Sequence, residues 1–207
     1  MAPHDPADRS KGPTPARYIP KSFQQEDPQV LAAFIRAHSF ATHLPLLLEE
    51  GVLRGHLARA NPHCRLFDGQ RQSLAIFHGP HAYVSPTWYT TSPAVPTWNY
   101  AAVHVYGAPR PIEEEARLSA PVDRLAAVYE AKQLQPWPGV LPPEYRAKML
   151  QGILGFEMEI GRIEGKFKLG QNRSRQDQLG VLARLESSPD PQAQALAALA
   201  RAQLPPG

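Results

Sequence analysis

The chain has 207 residues, of which 43% are hydrophobic and 20% are charged, a balance typical of a soluble globular protein. No apolar run is long enough to cross a bilayer and no signal peptide opens the chain, so we expect a cytoplasmic protein with no membrane partner. The formal net charge of +3 suits an anionic ligand or weak contact with nucleic acid without requiring either, and the single cysteine, Cys64, excludes an internal disulfide.

Composition divides the chain into one folded domain and two ends. Residues 1–17 contain several prolines and almost no apolar side chains, which predicts a disordered leader. Residues 187–207 are rich in Ala, Gln and Pro. The stretch from Ala193 to Leu204 favours a short helix, but it has few large side chains to dock it, so we expect a tail there. The folded domain then spans 18–186.

The first elements of that domain follow from local patterns. Asp27 and Pro28 are suited to the start of a helix whose apolar face includes Phe34. Runs with strand character follow at 52–57, 73–79 and 101–107, and the stretch 156–170 alternates between apolar and polar residues. Gly161 and Gly165 indicate a bend, a bulge or a turn within that last stretch.

Helices are expected between and after these strands. One spans about 113–133 and is divided by Pro121, a second spans 142–151, and a third begins at Ser174, which stands at capping-box spacing from Asp177. Short strands with inserted helices, and no regular alternation of the two, predict an α+β fold around an antiparallel barrel or sheet.

The segment "LRGHLARANPHCR" at 53–65 is a candidate phosphate site. Arg54, His56, Arg59 and Asn61 bring hydrogen-bond donors and a helix cap to the end of a strand, where Pro62 is expected to open a short helix. Charged donors beside free backbone amides are suited to a phosphate group. The alternative interpretation is a basic surface turn that contacts only water.

Aromatic and hydroxyl side chains crowd the segment "IFHGPHAYVSPTWY" at 76–89, which includes His81, Tyr83, Ser85 and Trp88. Ring faces with polar tips are suited to a flat heteroaromatic ligand, although the segment also fits a proline-rich loop whose aromatics cover the barrel. A metal site on the histidines is disfavoured because no carboxylate lies nearby in the sequence.

Two further segments carry polar groups beside strands. "VPTWNYAAVHVYG" at 95–107 begins as a loop and ends as a strand, and Thr97, Trp98 and Asn99 lie in its first half. "EGKFKLGQNRSR" at 164–175 forms a cationic strand end or a solvated hairpin, with four candidate ligand-binding residues: Lys166, Gln171, Asn172 and Arg173. We find no nucleophile, zinc-protease or P-loop motif and no convincing helix-turn-helix, so no catalytic residue is assigned.

Taken together, these segments resemble the PaiB-type family of FMN-binding negative transcriptional regulators. The matching stretches cover most of residues 18–185 and are "YIPKSF", "HLPLLLEEGVLRGHLARANP", "LAIFHGPHAYVSPTWY", "VPTWNYAAVHVYG", "ILGFEMEI" and "EGKFKLGQNR". The resemblance implies an FMN-binding split β-barrel with peripheral helices, usually a homodimer with flavin at the interface between protomers. It also implies a role in repressing genes. We therefore expect a flavin-binding regulator without turnover, the alternative being a flavin-dependent oxidoreductase of the same barrel class. DNA stays open as a further partner.

The resemblance assigns roles to the candidate residues. It implies an FMN phosphate near Arg54, His56, Arg59 and Asn61. The flavin ring would lie between the loop that carries His81, Tyr83, Ser85 and Trp88 and the loop that carries Thr97, Trp98 and Asn99. The four residues of the segment 164–175 named above would reach in from the same chain or from its partner.

The chain departs from the family pattern at two places. Thr42 is followed directly by His43, where the family has a strand, a turn and a returning strand, and the link around Ser92 is shorter than usual. Either the barrel is trimmed here, or loop residues are missing from the numbered sequence. Because a barrel without these strands exposes sheet edges, we favour the second explanation.

Overall fold

A computed structural model describes residues 20–38, 40–41 and 44–204, with the backbone alone for Phe40, Ala41 and Glu115. The leader expected at 1–17 lies outside the described residues. In the described part of the chain, no helix is both long enough and apolar enough to cross a membrane.

Within the described residues, ten strands form two antiparallel sheets. In chain order the strands are β1 (Gln24–Gln25), β2 (Phe40–Ala41), β3 (Leu44–Pro45), β4 (Leu47–Glu49), β5 (Val52–Ala58), β6 (Ser73–Val84), β7 (Thr97–Gly107), β8 (Arg110–Ile112), β9 (Ile153–Glu159) and β10 (Arg162–Lys168). Sheet A has the order β1-β10-β7-β6-β2-β3, and sheet B has the order β4-β5-β9-β8.

Five α-helices lie around these sheets in the part of the chain that is described. They are α1 (Pro28–Ala37), α2 (Glu115–Glu130), α3 (Pro143–Gln151), α4 (Arg175–Glu186) and α5 (Pro191–Ala202). Short 3₁₀ turns cover Lys21–Phe23, Pro62–Leu66 and Pro86–Trp88. The mixture of antiparallel sheets and helices confirms the expected α+β class.

The main hydrophobic core contains side chains from both sheets. Phe77 and Val103 of sheet A and Leu53 of sheet B are fully buried in it, together with Phe156 and Phe167. Each such side chain removed from water contributes about 1.5–3 kcal/mol to folding. The core therefore divides sheet A into an inner face, which packs toward sheet B, and an outer face.

Strands β6 and β7 are longer than their local patterns predict. A register shift between His78 and His81 accommodates Pro80, and the ladder resumes with His81 opposite Tyr100. The two strands then remain paired up to Val84 and Thr97. The β-bulge lets β6 continue past Pro80, and β7 pairs with this continuation. The predicted loop at the start of "VPTWNYAAVHVYG" is therefore strand from Thr97 onward.

The alternating stretch at 156–170 is two strands in different sheets. Gly161 lies at the turn between them, where its amide donates to the carbonyl of Tyr106 at 2.9 Å. Gly165 lies inside β10 instead, where an added Cβ would come within 2.3 Å of Leu31 on α1. One glycine thus marks the predicted turn, and the other permits close helix packing.

The C-terminal segment differs from the tail that we expected. Asp190 caps α5 by accepting from the amide of Gln192, and Leu196 and Ala197 are completely buried in the main core. The small alanine side chains let the helix approach α4 and β6 closely, so few large residues suffice to dock it.

Strands β2 and β3 lie at one edge of sheet A. β2 pairs with β3 and joins β6 through Ala41 opposite Phe77. Along the rest of β6, the edge remote from β7 has no strand partner among the described residues. This is the kind of edge expected where a barrel is short of strands.

Candidate functional site

Aromatic and basic side chains lie together on the outer face of sheet A. Alternation along the strands brings Tyr83 opposite Trp98, and Tyr100 opposite both His81 and Lys168. We call this surface the aromatic face and define it by His81, Tyr83, Trp98, Tyr100, Lys166 and Lys168. Thr97 lies at its edge, at the start of β7, where its hydroxyl accepts from Lys168.

The rings of the aromatic face contact each other but stay open to solvent. The ring centroids of Tyr83 and Trp98 lie 6.1 Å apart in an edge-to-face arrangement, and those of His81 and Trp98 lie 6.2 Å apart. Tyr83 is 46% exposed and Trp98 is 54% exposed. Large exposed rings held on rigid strands are suited to contact a flat ligand.

Positive charge borders these rings. The Lys168 ammonium donates to the Trp98 carbonyl oxygen at 2.8 Å and to the Thr97 hydroxyl, and the Lys166 ammonium lies 5.6 Å from the centroid of the Tyr100 ring. Partial burial, followed by the nearby charges of Lys166 and Arg173, lowers the pKa of Lys168, which Tyr100 partly offsets. An anion beside Lys168 would relieve this unfavourable environment.

Asn99 and Gln171 lie on the opposite side of the sheet from the aromatic face. Since successive strand residues point to opposite faces, Asn99 points inward while Trp98 points outward, and Asn99 is only 4% exposed. The Gln171 side chain accepts from the Leu169 amide at 2.8 Å and donates to the Phe167 carbonyl at 2.5 Å. Gln171 therefore holds the turn that follows β10.

Ser85, Trp88, Asn172 and Arg173 occupy the loops next to α4. The Ser85 hydroxyl accepts from the Thr87 amide at 3.3 Å and so caps the 3₁₀ turn that carries the half-buried Trp88. Asn172 is exposed in the turn before α4, and the Arg173 guanidinium lies 4.4 Å from the centroid of the Tyr89 ring.

Asp177 fastens this loop to α4, a role that local sequence patterns did not reveal. Its buried carboxylate accepts from the amides and hydroxyls of Thr90 and Thr91 at 2.5–3.2 Å. The predicted capping box is half formed, because the Ser174 hydroxyl accepts from the Asp177 amide while the carboxylate points to the loop. The Thr91 hydroxyl, with the other three donors, holds the pKa of Asp177 well below its usual range.

The predicted phosphate corner lies on sheet B. Arg54 on β5 is engaged by two carboxylates, with Glu49 at 3.4 Å and Glu157 at 3.7 Å. His56 is half-buried, and this burial lowers its pKa and favours the neutral ring. Asn61 caps the Pro62–Leu66 turn by accepting from the amide of His63.

Arg59 is the arginine of this corner best placed to meet a ligand. It is exposed, its Nε donates to the carbonyl of Gln151 at 3.2 Å, and it has no carboxylate partner among the described residues. The structure thus gathers His81, Tyr83, Trp98 and Lys166 on one surface, with Thr97 at its edge. It leaves the corner of Arg54, His56, Arg59 and Asn61 on the other sheet.

Comparisons with known proteins identify the family of the chain. A family model described as "Putative FMN-binding domain" matches residues 17–162. The chain is also 34% identical over 200 residues to "Protease synthase and sporulation protein PAI 2" of Bacillus subtilis (strain 168), in a match that covers 88% of this chain and 95% of that protein. The chain belongs to this FMN-binding family. The resemblance stated from the sequence and the assignment of FMN as cofactor are therefore confirmed.

Solved structures share the fold of this chain at low sequence identity. The flavocytochrome Anf3 from Azotobacter vinelandii superposes with a TM-score of 0.58 at 14% identity, covering 75% of this chain and 74% of that one. The FAD and heme binding protein from Mycobacterium smegmatis gives 0.56 at 14% identity, covering 75% and 78%. The two antiparallel sheets with surrounding helices are thus a split-barrel-like arrangement.

The residues of the aromatic face fit the chemistry of FMN. A flat tricyclic ring is matched by the open surfaces of Tyr83 and Trp98, and the electron-rich polar edge of that ring is matched by the lysines beside them. A bound flavin would be capable of electron or hydride transfer, and these side chains would bind and orient it.

Proposed function

We propose that this protein is a cytoplasmic, dimeric FMN-binding repressor of transcription in which the flavin is a regulatory ligand without turnover. The observation that carries the proposal is the aromatic face, with Trp98 and Tyr83 open to solvent and Lys168 beside them. The regulatory role is supported by the likeness to the Bacillus subtilis protein, whose name refers to protease synthesis and sporulation.

We assign the flavin ring to the aromatic face and its phosphate to Arg59. The loop residues Ser85, Trp88, Asn172 and Arg173 would border the ring, while Asn99 and Gln171 would stay on the inner side of sheet A. Arg54, His56 and Asn61 would shape the corner around Arg59 rather than hold the phosphate, because Arg54 is engaged by carboxylates and Asn61 by its helix cap.

A homodimer follows from this assignment. The aromatic face is on sheet A and Arg59 follows β5 of sheet B, so one FMN meets both most readily if they belong to different protomers. A two-fold axis would then create two equivalent flavin sites at the interface. Flavin occupancy would stabilise the dimer, which is the form expected to contact DNA through the positive net charge of the chain.

The experiment is an FMN titration of the purified protein, followed by addition of NAD(P)H. We expect flavin absorbance, one FMN per chain, and no sustained oxidation of NAD(P)H. A protein that binds no FMN would contradict the proposal, and colourless protein that shifts a promoter fragment in a salt-dependent manner would indicate repression without flavin.

A flavin-dependent oxidoreductase is the second candidate, favoured by the openness of the same face. With Trp98 54% exposed, a flavin lying on it leaves room for a reactant on its other side. Bleaching of the flavin by NAD(P)H with repeated turnover would select this function over the regulator.

A further inference from the structure

A cavity of about 170 Å³ lies on the inner side of sheet A, between the start of β7 and the helices α4 and α5. Its apolar walls include Leu169, Leu182 and Leu185. Its polar groups are four amide side chains, those of Asn99, Gln171, Gln178 and Gln203. No charged side chain lines the cavity among the described residues. We call it the amide pocket.

Asn99 is the unusual member of this set. It is 4% exposed and lines the amide pocket, yet its side chain makes no hydrogen bond to any residue that the structure describes. Among the described residues, no side-chain nitrogen or oxygen is both sealed from solvent and unpaired, so the Asn99 amide is accessible from the space of the pocket. A side chain with one donor group and one acceptor group is therefore available to a ligand that presents both.

Two other amides are only half used. Gln178 donates through Nε2 to the carbonyl of Arg173 at 2.8 Å, which leaves its Oε1 without a partner among the described residues. Gln203 accepts through Oε1 from Gln25 at 3.4 Å, which leaves its Nε2 similarly available. Gln171, by contrast, uses both ends of its amide on the backbone.

We propose that the amide pocket binds a small, uncharged carboxamide or lactam with an apolar body. Such a group pairs with Asn99 as donor and acceptor at once, and its body contacts the leucines. A carboxylate or an amine of the same size is disfavoured because no opposite charge lines the pocket to compensate for its desolvation.

This site is distinct from the proposed flavin site. Asn99 and Trp98 are neighbours in β7 that face opposite sides of sheet A, so the two ligands lie on either side of one strand. A volume of 170 Å³ is also smaller than the roughly 300–1,000 Å³ of pockets that enclose drug-sized ligands, and FMN is of that larger class.

Benzamide is the probe for this proposal, with benzoate as its charged isostere. Dissociation constants are measured by titration in protein-observed NMR for the full chain and for two matched variants on α5. Ala200→Phe fills the pocket from its rim, whereas Ala198→Phe places the same ring on the exposed side of the helix. Gln178→Leu, which removes the free acceptor and the bond to the Arg173 carbonyl at nearly constant volume, keeps the test available if Ala200→Phe does not fold.

We expect benzamide to bind the parent chain and Ala198→Phe with the same affinity, and to bind Ala200→Phe or Gln178→Leu at least tenfold more weakly. The parent chain should bind benzamide at least tenfold more tightly than benzoate. FMN affinity should stay unchanged in Ala200→Phe. The proposal is overturned if benzamide does not bind, if filling the pocket leaves its affinity unchanged, if benzoate binds equally well, or if Ala200→Phe weakens FMN.

Discussion

Asp177 combines burial with four hydrogen bonds from one short loop. Its carboxylate is 1% exposed and accepts from the amides and hydroxyls of Thr90 and Thr91. A buried charge is tolerated when donors surround it in this way. The segment that follows Trp88 is consequently fixed to the first turn of α4.

Replacing Asp177 with Asn should lower the melting temperature by several degrees at neutral pH. The amide would place donor hydrogens against donors that now meet a carboxylate. The matched control is Asp190→Asn on α5, an exposed cap that Asn fills as well, and it should leave the melting temperature nearly unchanged.

The effect of Asp177 should depend on pH with a definite sign. Its pKa in the folded protein lies below the ordinary 3.8, so its stabilisation is complete above that pH and is lost as the pH falls toward the folded value. The difference in melting temperature between parent and Asp177→Asn should therefore shrink in acid. A difference that grows as the pH falls below 3.8 would refute the ionised network.

Arg59→Ala should weaken FMN binding at least tenfold, which corresponds to about 1.4 kcal/mol. The reason is the loss of an exposed guanidinium assigned to the phosphate. The measurement is a flavin fluorescence titration, with Arg71→Ala as control because Arg71 is also exposed but pairs with Asp68. Equal FMN affinity in Arg59→Ala and parent would remove Arg59 from the site.

At the scale of elements, local signals predicted what depends on local contacts. Asp27 caps α1 by accepting from the Gln29 and Val30 amides, and Asn61 caps the turn that Pro62 opens, both as their residue types predict. The continuation of β6 past Pro80 could not be predicted in this way, because it depends on pairing with β7, which lies distant in sequence.

The packing of helix α5 could not be predicted from local sequence either. Its helical character was visible in the alanines, but its place in the core depends on α4 and β6, which local propensity does not describe. Likewise, the opposite directions of Trp98 and Asn99 follow only once β7 is known to begin at Thr97. The candidate residues were thus found by their type and by the resemblance to the family. The side of the sheet to which each one points could be assigned only from the strand pairing.

Leu196→Ala tests whether α5 belongs to the fold. Leu196 is completely buried, so the substitution should lower the free energy of unfolding by about 2–5 kcal/mol in urea denaturation. Leu134→Ala is the control, because Leu134 is fully exposed and its replacement should leave the free energy of unfolding almost unchanged. A small loss at Leu196 would mean that α5 acts as a tail in solution.

For the whole molecule, the account requires two chains. The mass in solution, measured by light scattering, should be twice the 22.9 kDa of the chain. Tyr83→Glu should shift it toward that of the monomer, because it places a charge on the aromatic face assigned to the interface. Tyr145→Glu on α3, a similarly exposed tyrosine, should not. A protein that is monomeric at micromolar concentration, with and without FMN, would rule out the shared site.

The most direct test of the account is the FMN affinity of Trp98→Ala, compared with that of Trp137→Ala. Both tryptophans are about half exposed, but only Trp98 belongs to the aromatic face. We expect the loss of the Trp98 ring to raise the FMN dissociation constant at least tenfold and the loss of Trp137 to leave it unchanged. An unchanged constant in Trp98→Ala would show that the flavin lies elsewhere on the molecule.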